Sequence, residues 1–149
     1  MKIKYAHTNI VAKDWQSLAK FYQEALGCVP VPPQRQQAGE WLERGTGVPG
    51  ASLRGVHLRL PGYGESGPTL EIYQYEHMED KLTPAANRQG LGHLAFLVDN
   101  VSAVRENILQ YGGHDLGRIS EAKVAGVGTI TFIYMTDPEG NILEIQHWA

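Results

Sequence analysis

The 149-residue sequence predicts an α+β fold in which two paired βαβββ modules make a single domain over 1-149. Module 1 covers about 3-75, a linker 76-90, and module 2 about 91-149. Three observations predict this. The segment HTNIVAKDWQSLAKFYQEALG, starting at His7, aligns without a gap on HLAFLVDNVSAVRENILQYGG, starting at His93, and each reaches its glycine (Gly27 or Gly113) 20 positions on. Within both segments a short β-rich run gives way to helical apolar spacing. The chain is also too short for two ordinary independent domains, so the repeats must share a core.

The elements follow in order. After the strand at His7, Leu18, Phe21, Tyr22, Ala25 and Leu26 recur at three- and four-residue intervals, which gives a helix with one buried face. Asp14 is placed to cap its unpaired first-turn amides, and Gly27 to end it in the left-handed conformation. Residues 28–55 are rich in Pro, Gln and Gly and read as a lid, binding loop or dimer contact interrupted only by a strand at Glu40–Glu43. Strands at Val56–Leu60 and Thr69–Tyr75 close the first module. In the second, Val101, Val104, Ile108 and Tyr111 mark a helix capped by Asp99 or Asn100 and ended at Gly112-Gly113. Strands are predicted at Asp115–Ile119, Thr129–Met135 and Ile142–Trp148. The module ends also match, Leu70-Glu71-Ile72 against Leu143-Glu144-Ile145.

Composition narrows the function. Thirteen Lys and Arg stand against 16 Asp and Glu with no basic run, so the electrostatic footprint of a nucleic-acid binder is missing and a small-molecule partner is favoured. The start lacks the apolar centre of a signal peptide and no stretch is long enough to cross a bilayer, which predicts a cytoplasmic protein without membrane contact. Cys28 is the only cysteine, so any metal must take nitrogen and oxygen ligands. Gly126-Val127-Gly128 lacks the ending and following helix of a phosphate loop and reads as a turn.

The repeat places a histidine at the start of each module and a glutamate in its last strand: His7 and Glu71, His93 and Glu144. Singly, a strand histidine or late glutamate is most often an ordinary residue. Four at equivalent positions of a gapless repeat form a candidate ligand set. His77, His114 and His147 have no repeat partner and receive no role. By strand alternation Tyr73 and Tyr75 share a face with Glu71, and Gln146 and Trp148 share one with Glu144, which makes them candidate substrate-binding residues. Core or dimer packing is the competing reading for these aromatics. His57 and Arg59 also share a face, and Arg59 is a candidate anchor for an anionic substrate.

With these residues, the closing run Asp137-Pro138-Glu139-Gly140-Asn141-Ile142-Leu143-Glu144-Ile145 and the helix ending Phe21-Tyr22 with Leu26-Gly27, the chain resembles the vicinal-oxygen-chelate superfamily over nearly its whole length. That superfamily includes glyoxalase I, methylmalonyl-CoA epimerase, extradiol dioxygenases and bleomycin-resistance proteins. The resemblance implies a curved mixed sheet around a metal-binding concavity, His7, Glu71, His93 and Glu144 as ligands of one divalent ion (Zn, Ni, Co, Mn or Fe), and a homodimer. It implies a lyase or isomerase moving a proton next to a carbonyl through a metal-stabilised enolate, with Glu71 or Glu144 as the catalytic base.

Departures from the family pattern bear on the substrate. Val11 stands where glyoxalase I usually carries an arginine for glutathione, and the strand Val56–Leu60 lacks the acid of the epimerases. Two alternatives follow from the same resemblance. One is an Fe(II) extradiol-type dioxygenase using two histidines and one carboxylate, against which the two-module, four-ligand pattern argues. The other is a metal-free binding protein of the antibiotic-resistance type, with cavity aromatics stacked on a planar ligand.

Overall fold

Helix α1 (Trp15–Leu26) begins where Asp14, in extended conformation, accepts hydrogen bonds from the Gln16 and Ser17 amides, in a computed structural model that describes Met1–Ala149. It ends at Gly27, whose φ of 70° lies in the left-handed region that favours glycine. The face carrying Leu18, Phe21, Tyr22 and Ala25 is buried. It packs on a four-stranded sheet of order β1-β4-β3-β2, with β1 at His7–Val11, β2 at Val29–Ala38, β3 at Ser52–Arg59 and β4 at Thr69–Tyr75. β1 runs parallel to β4 and the other pairs are antiparallel. Ile10, Val56, Leu58, Leu70 and Ile72 are buried strand residues of one parity in register, while Leu53 and Glu71 are buried on the opposite face.

That alternation fixes what the opposite face shows. A one-residue slip of β3 or β4 would turn Leu58, Leu70 and Ile72 outward, losing roughly 1.5–3 kcal/mol for each apolar side chain. The register is therefore held by the core, and the register sets which polar side chains meet on the face turned away from α1.

Two expectations for residues 28–55 are corrected. The stretch read as a loop is mostly regular structure, made of the edge strand β2, which pairs only with β3, then a short helix and the start of β3. Pro30, Pro32 and Pro33 hide β2 from a pattern search, yet an edge tolerates prolines because one side of it needs no amide donors. Its pairing shifts between Val31 and Arg35, at a bulge. Glu40–Glu43 is not a strand but the start of α2 (Glu40–Thr46), supported by the i,i+4 pair Glu40–Arg44 and ended by left-handed Gly47. Leu42 of α2 joins Ala51 and Leu53 in a small cluster on which Tyr73 and Tyr75 pack.

The first unit spans Met1–Lys81 and the second Leu82–Ala149. The second repeats the plan with β5 (Leu94–Leu97), α3 (Val101–Gln110), β6 (His114–Asp115), β7 (Ser120–Val124), β8 (Gly128–Thr136) and β9 (Ile142–Trp148). The order is β5-β9-β8-β6, with β7 also on β8 and β5 parallel to β9. Asn100 caps α3 by accepting from the Ala103 amide. Val101 and Ile108 of α3 are buried, as are Ile133, Met135, Leu143 and Ile145 of the sheet. The predicted strand Asp115–Ile119 is cut short. The Leu116 and Gly117 amides both donate to the Tyr134 carbonyl, a bulge that ends β6 before β7 begins.

The β8–β9 turn is built on Asp137, which is fully buried. Its carboxylate accepts from the Glu139 and Asn141 amides, both at 2.9 Å, and from Asn141 Nδ2 at 2.6 Å. The run from Asp137 to Asn141 thus pins the register that sets Glu144 opposite Tyr134. The fold is α+β, with one mixed sheet per βαβββ module.

Candidate functional site

In the first unit, pairing sets His57 opposite Glu71 and Gly55 opposite Tyr73. Glu71 is 7% exposed and would be costly there as an uncompensated charge. Four donors surround it. His57 Nε2 lies 2.9 Å and Tyr73 Oη 3.2 Å from Oε1, while Asn9 Nδ2 lies 3.1 Å and His7 Nε2 3.3 Å from Oε2. His57 Nε2 also meets Tyr73 Oη at 2.7 Å. A carboxylate only accepts, so the tautomer with the proton on Nε2 satisfies this contact.

Burial holds the His57 pKa below its ordinary value. Glu71 opposes that shift, while Arg35 and His7 add to it. The His57–Glu71 contact is therefore a neutral imidazole donating to a carboxylate. Burial, with Glu71 beside it, pushes the Tyr73 hydroxyl up to about 12, so it stays a neutral donor. Gly55 gives that ring its place: a Cβ there would sit 2.7 Å from Tyr73 Cδ1 and 2.0 Å from the Ile72 carbonyl oxygen.

The second unit carries a sparser version. His93 Nε2 is 3.0 Å from Glu144 Oε2. The His93 ring lies 4.8 Å from that of Tyr134, which in turn stands 5.9 Å from Phe132. Burial and Glu144 raise the Tyr134 pKa. Ala95 occupies the position of Asn9 and offers no donor, since each pairs with its module's glutamate. Glu144 therefore keeps an oxygen free of protein hydrogen bonds, whereas Glu71 does not.

Each predicted ligand pair is thus in contact within its own unit. No group of three or more His, Cys, Asp or Glu side chains is arranged to hold an ion. The first unit supplies two imidazoles and a carboxylate and the second one of each, donors that suit a borderline divalent ion. Of the predicted substrate-binding residues, Tyr73 joins the Glu71 cluster and Tyr75 packs toward Leu53. Trp148 Nε1 donates to Gln146 Oε1 at 2.9 Å on β9. Arg59 has a buried Nε with no hydrogen-bond partner.

Sequence reasoning missed Asn9, Tyr134 and Arg35, and it saw His57 only as a neighbour of Arg59. The repeat held a signal for Asn9, two positions beyond His7 and opposite Glu71 in a parallel pair. Arg35 was hidden with the rest of β2.

Two βαβββ modules, each with a histidine–glutamate pair on the sheet face turned from its long helix, define the vicinal-oxygen-chelate class of α+β proteins. The model of the glyoxalase-like domain family matches residues 7–145, and the chain belongs to that family. Its fold is similar to that of a glyoxalase family protein from Bacillus cereus, with TM-score 0.75 and 15% identity over 99% of this chain and 94% of the other. A glyoxylase/bleomycin resistance protein/dioxygenase domain from Frankia sp. gives TM-score 0.59 and 17% identity over 100% and 98%. A glyoxalase I mutant from Zea mays gives TM-score 0.63 and 21% identity over 96% of this chain and 44% of that longer one. No curated protein matches the chain.

Proposed function

We propose that the protein is a divalent-metal-dependent lyase or isomerase of glyoxalase type that moves a proton next to a carbonyl on a small molecule. The observation that carries this is the histidine–glutamate contact repeated in both modules, His7 with Glu71 and His93 with Glu144. These four residues are the ligands in this reading, and a bound divalent ion would supply Lewis acidity for polarising a substrate carbonyl.

The side chains divide the remaining work. Glu71, accepting from Asn9 and Tyr73 and in contact with the His7 and His57 imidazoles, is a fixed carboxylate. Glu144 meets one imidazole and has an oxygen to spare, which suits it to take the proton from the carbon beside the carbonyl. The C–H electron pair passes into the enolate, and the proton resides on Glu144 until it is returned. Tyr134, a neutral donor, would orient or stabilise an oxygen atom of a substrate, while the Tyr73 hydroxyl donates to Glu71.

The test is to strip metal from the whole chain with a chelator, restore Zn, Ni, Co, Mn or Fe(II) singly, and assay aldehyde, thioester and hydroxy-acid substrates for exchange of the activated hydrogen with deuterium. Metal-dependent exchange that Glu144→Gln lowers by a hundredfold or more is expected, the usual range for a lost general base being about 10²–10⁴. Exchange indifferent to metal would refute the proposal. A homodimer belongs to the same reading, and sedimentation at micromolar concentration checks it.

A further inference from the structure

Arg35 lies in β2, where its register partner is Gly55, and Gly55 in turn faces Tyr73. Arg35, Gly55 and Tyr73 thus form one row across the sheet, next to the row of Val31, His57 and Glu71. The bulge between Val31 and Arg35 keeps both residues on the His57 face. Because Gly55 has no side chain, nothing from β3 stands between Arg35 and the Tyr73 ring.

The half-buried Arg35 guanidinium forms no ion pair, and its hydrogen bond runs to the Pro33 carbonyl of its own strand. The carboxylate of the neighbouring row, Glu71, is already engaged by His7, Asn9, His57 and Tyr73. The Arg35 charge is nonetheless felt at the site, since it acts on both His57 and Tyr73. Arg59, on the same face two positions beyond His57, is a second arginine without an ion pair, and its buried Nε lacks any acceptor. This face therefore carries cationic donors in excess of carboxylates able to receive them, which is the arrangement of a site completed by an anion from outside.

We propose that Arg35 is the specificity-determining residue of the first-unit site, binding a carboxylate of the substrate, so that the substrate is a small organic acid bearing its reactive carbonyl or hydroxyl carbon within reach of the Glu71 cluster. The planar guanidinium fork matches a carboxylate with two parallel hydrogen bonds. The proposal supplies a substrate class for the carbonyl chemistry proposed above and rests on that reading for the reaction, though not for the binding.

The test uses the full chain after chelator treatment and titrates it with lactate and with lactamide, which differ in charge and little in shape, following the side-chain NMR signals of His57 and Tyr73. Saturable shifts with lactate at a concentration about tenfold below that needed for lactamide are expected, the ratio corresponding to one charge-assisted contact. Arg35→Gln should abolish the preference, Arg35→Lys should keep part of it, and Arg54→Gln, on the other face of the same strand pair, should leave it intact. Equal response to the two probes, no response to either, a preference that survives Arg35→Gln, or stronger binding of inorganic phosphate than of lactate would each overturn the assignment. Since no metal is present in the titration, an Arg35-dependent preference in a protein without metal-dependent exchange would retain this proposal and remove the enzymatic one.

Discussion

Glu71 and Glu144 occupy equivalent repeat positions and have different surroundings, and residue-scale chemistry follows from that difference. Glu71→Gln would bring an amide NH₂ into a ring of donors, leaving at least one buried donor without an acceptor, at a cost of about 1–3 kcal/mol. Glu144→Gln meets a single histidine and should cost less. Urea denaturation of the two variants checks the order, and equal losses would show that the surrounding Asn9, Tyr73, His7 and His57 side chains do not hold Glu71. Cys28, 3% exposed, gives a second residue-scale outcome. Burial pushes its thiol from 9.0 up to about 12. Above pH 9 the unfolded chain gains free energy by ionising this thiol while the folded chain does not, so stability falls as pH rises from about 9 toward 12. Cys28→Ser should flatten that alkaline loss, and in the native chain the thiol should react with disulfide reagents only as fast as the protein opens.

At the scale of elements, the register of β3 against β4 makes the first-unit cluster and the Asp137 turn sets the register in the second. Gly55→Ala would force a methyl group against the Ile72 carbonyl and the Tyr73 ring. Overpacking of this kind typically costs about 1–3 kcal/mol, and here it should also displace Tyr73 from His57, visible as a shift of the His57 ring signals. Asp137→Ala would leave the Glu139 and Asn141 amides without their acceptor and should cost roughly 2–3 kcal/mol by thermal or urea unfolding. Both helices with long apolar faces and most strands with buried alternation were legible in the sequence, because burial writes a period into the residues. β2 was not, since an edge strand with three prolines buries too little to leave one. His57 was visible and its pairing was not: the partner depends on how residues 60–68 turn the chain between β3 and β4, and spacing carries no record of that. Arg35 was lost with its strand.

For the whole molecule, the gapless repeat was the feature that made four scattered side chains a set, and the fold assigned to the chain agrees with it. What the repeat could not convey is the inequality of its halves. The first unit adds α2, His57, Asn9 and an arginine-bearing edge, whereas the second has Ala95 and an aromatic pair at Phe132 and Tyr134. In the proposed reading symmetric positions take asymmetric roles, Glu71 as a fixed carboxylate and Glu144 as the proton acceptor. The central proposal, that His7, Glu71, His93 and Glu144 are metal ligands, is tested most directly by elemental analysis of the freshly purified full chain together with its His7→Ala and His93→Ala variants. The account predicts close to one equivalent of divalent metal per site in the parent and a loss of most of it in each variant; a parent without stoichiometric metal, or variants that retain it, would contradict the account.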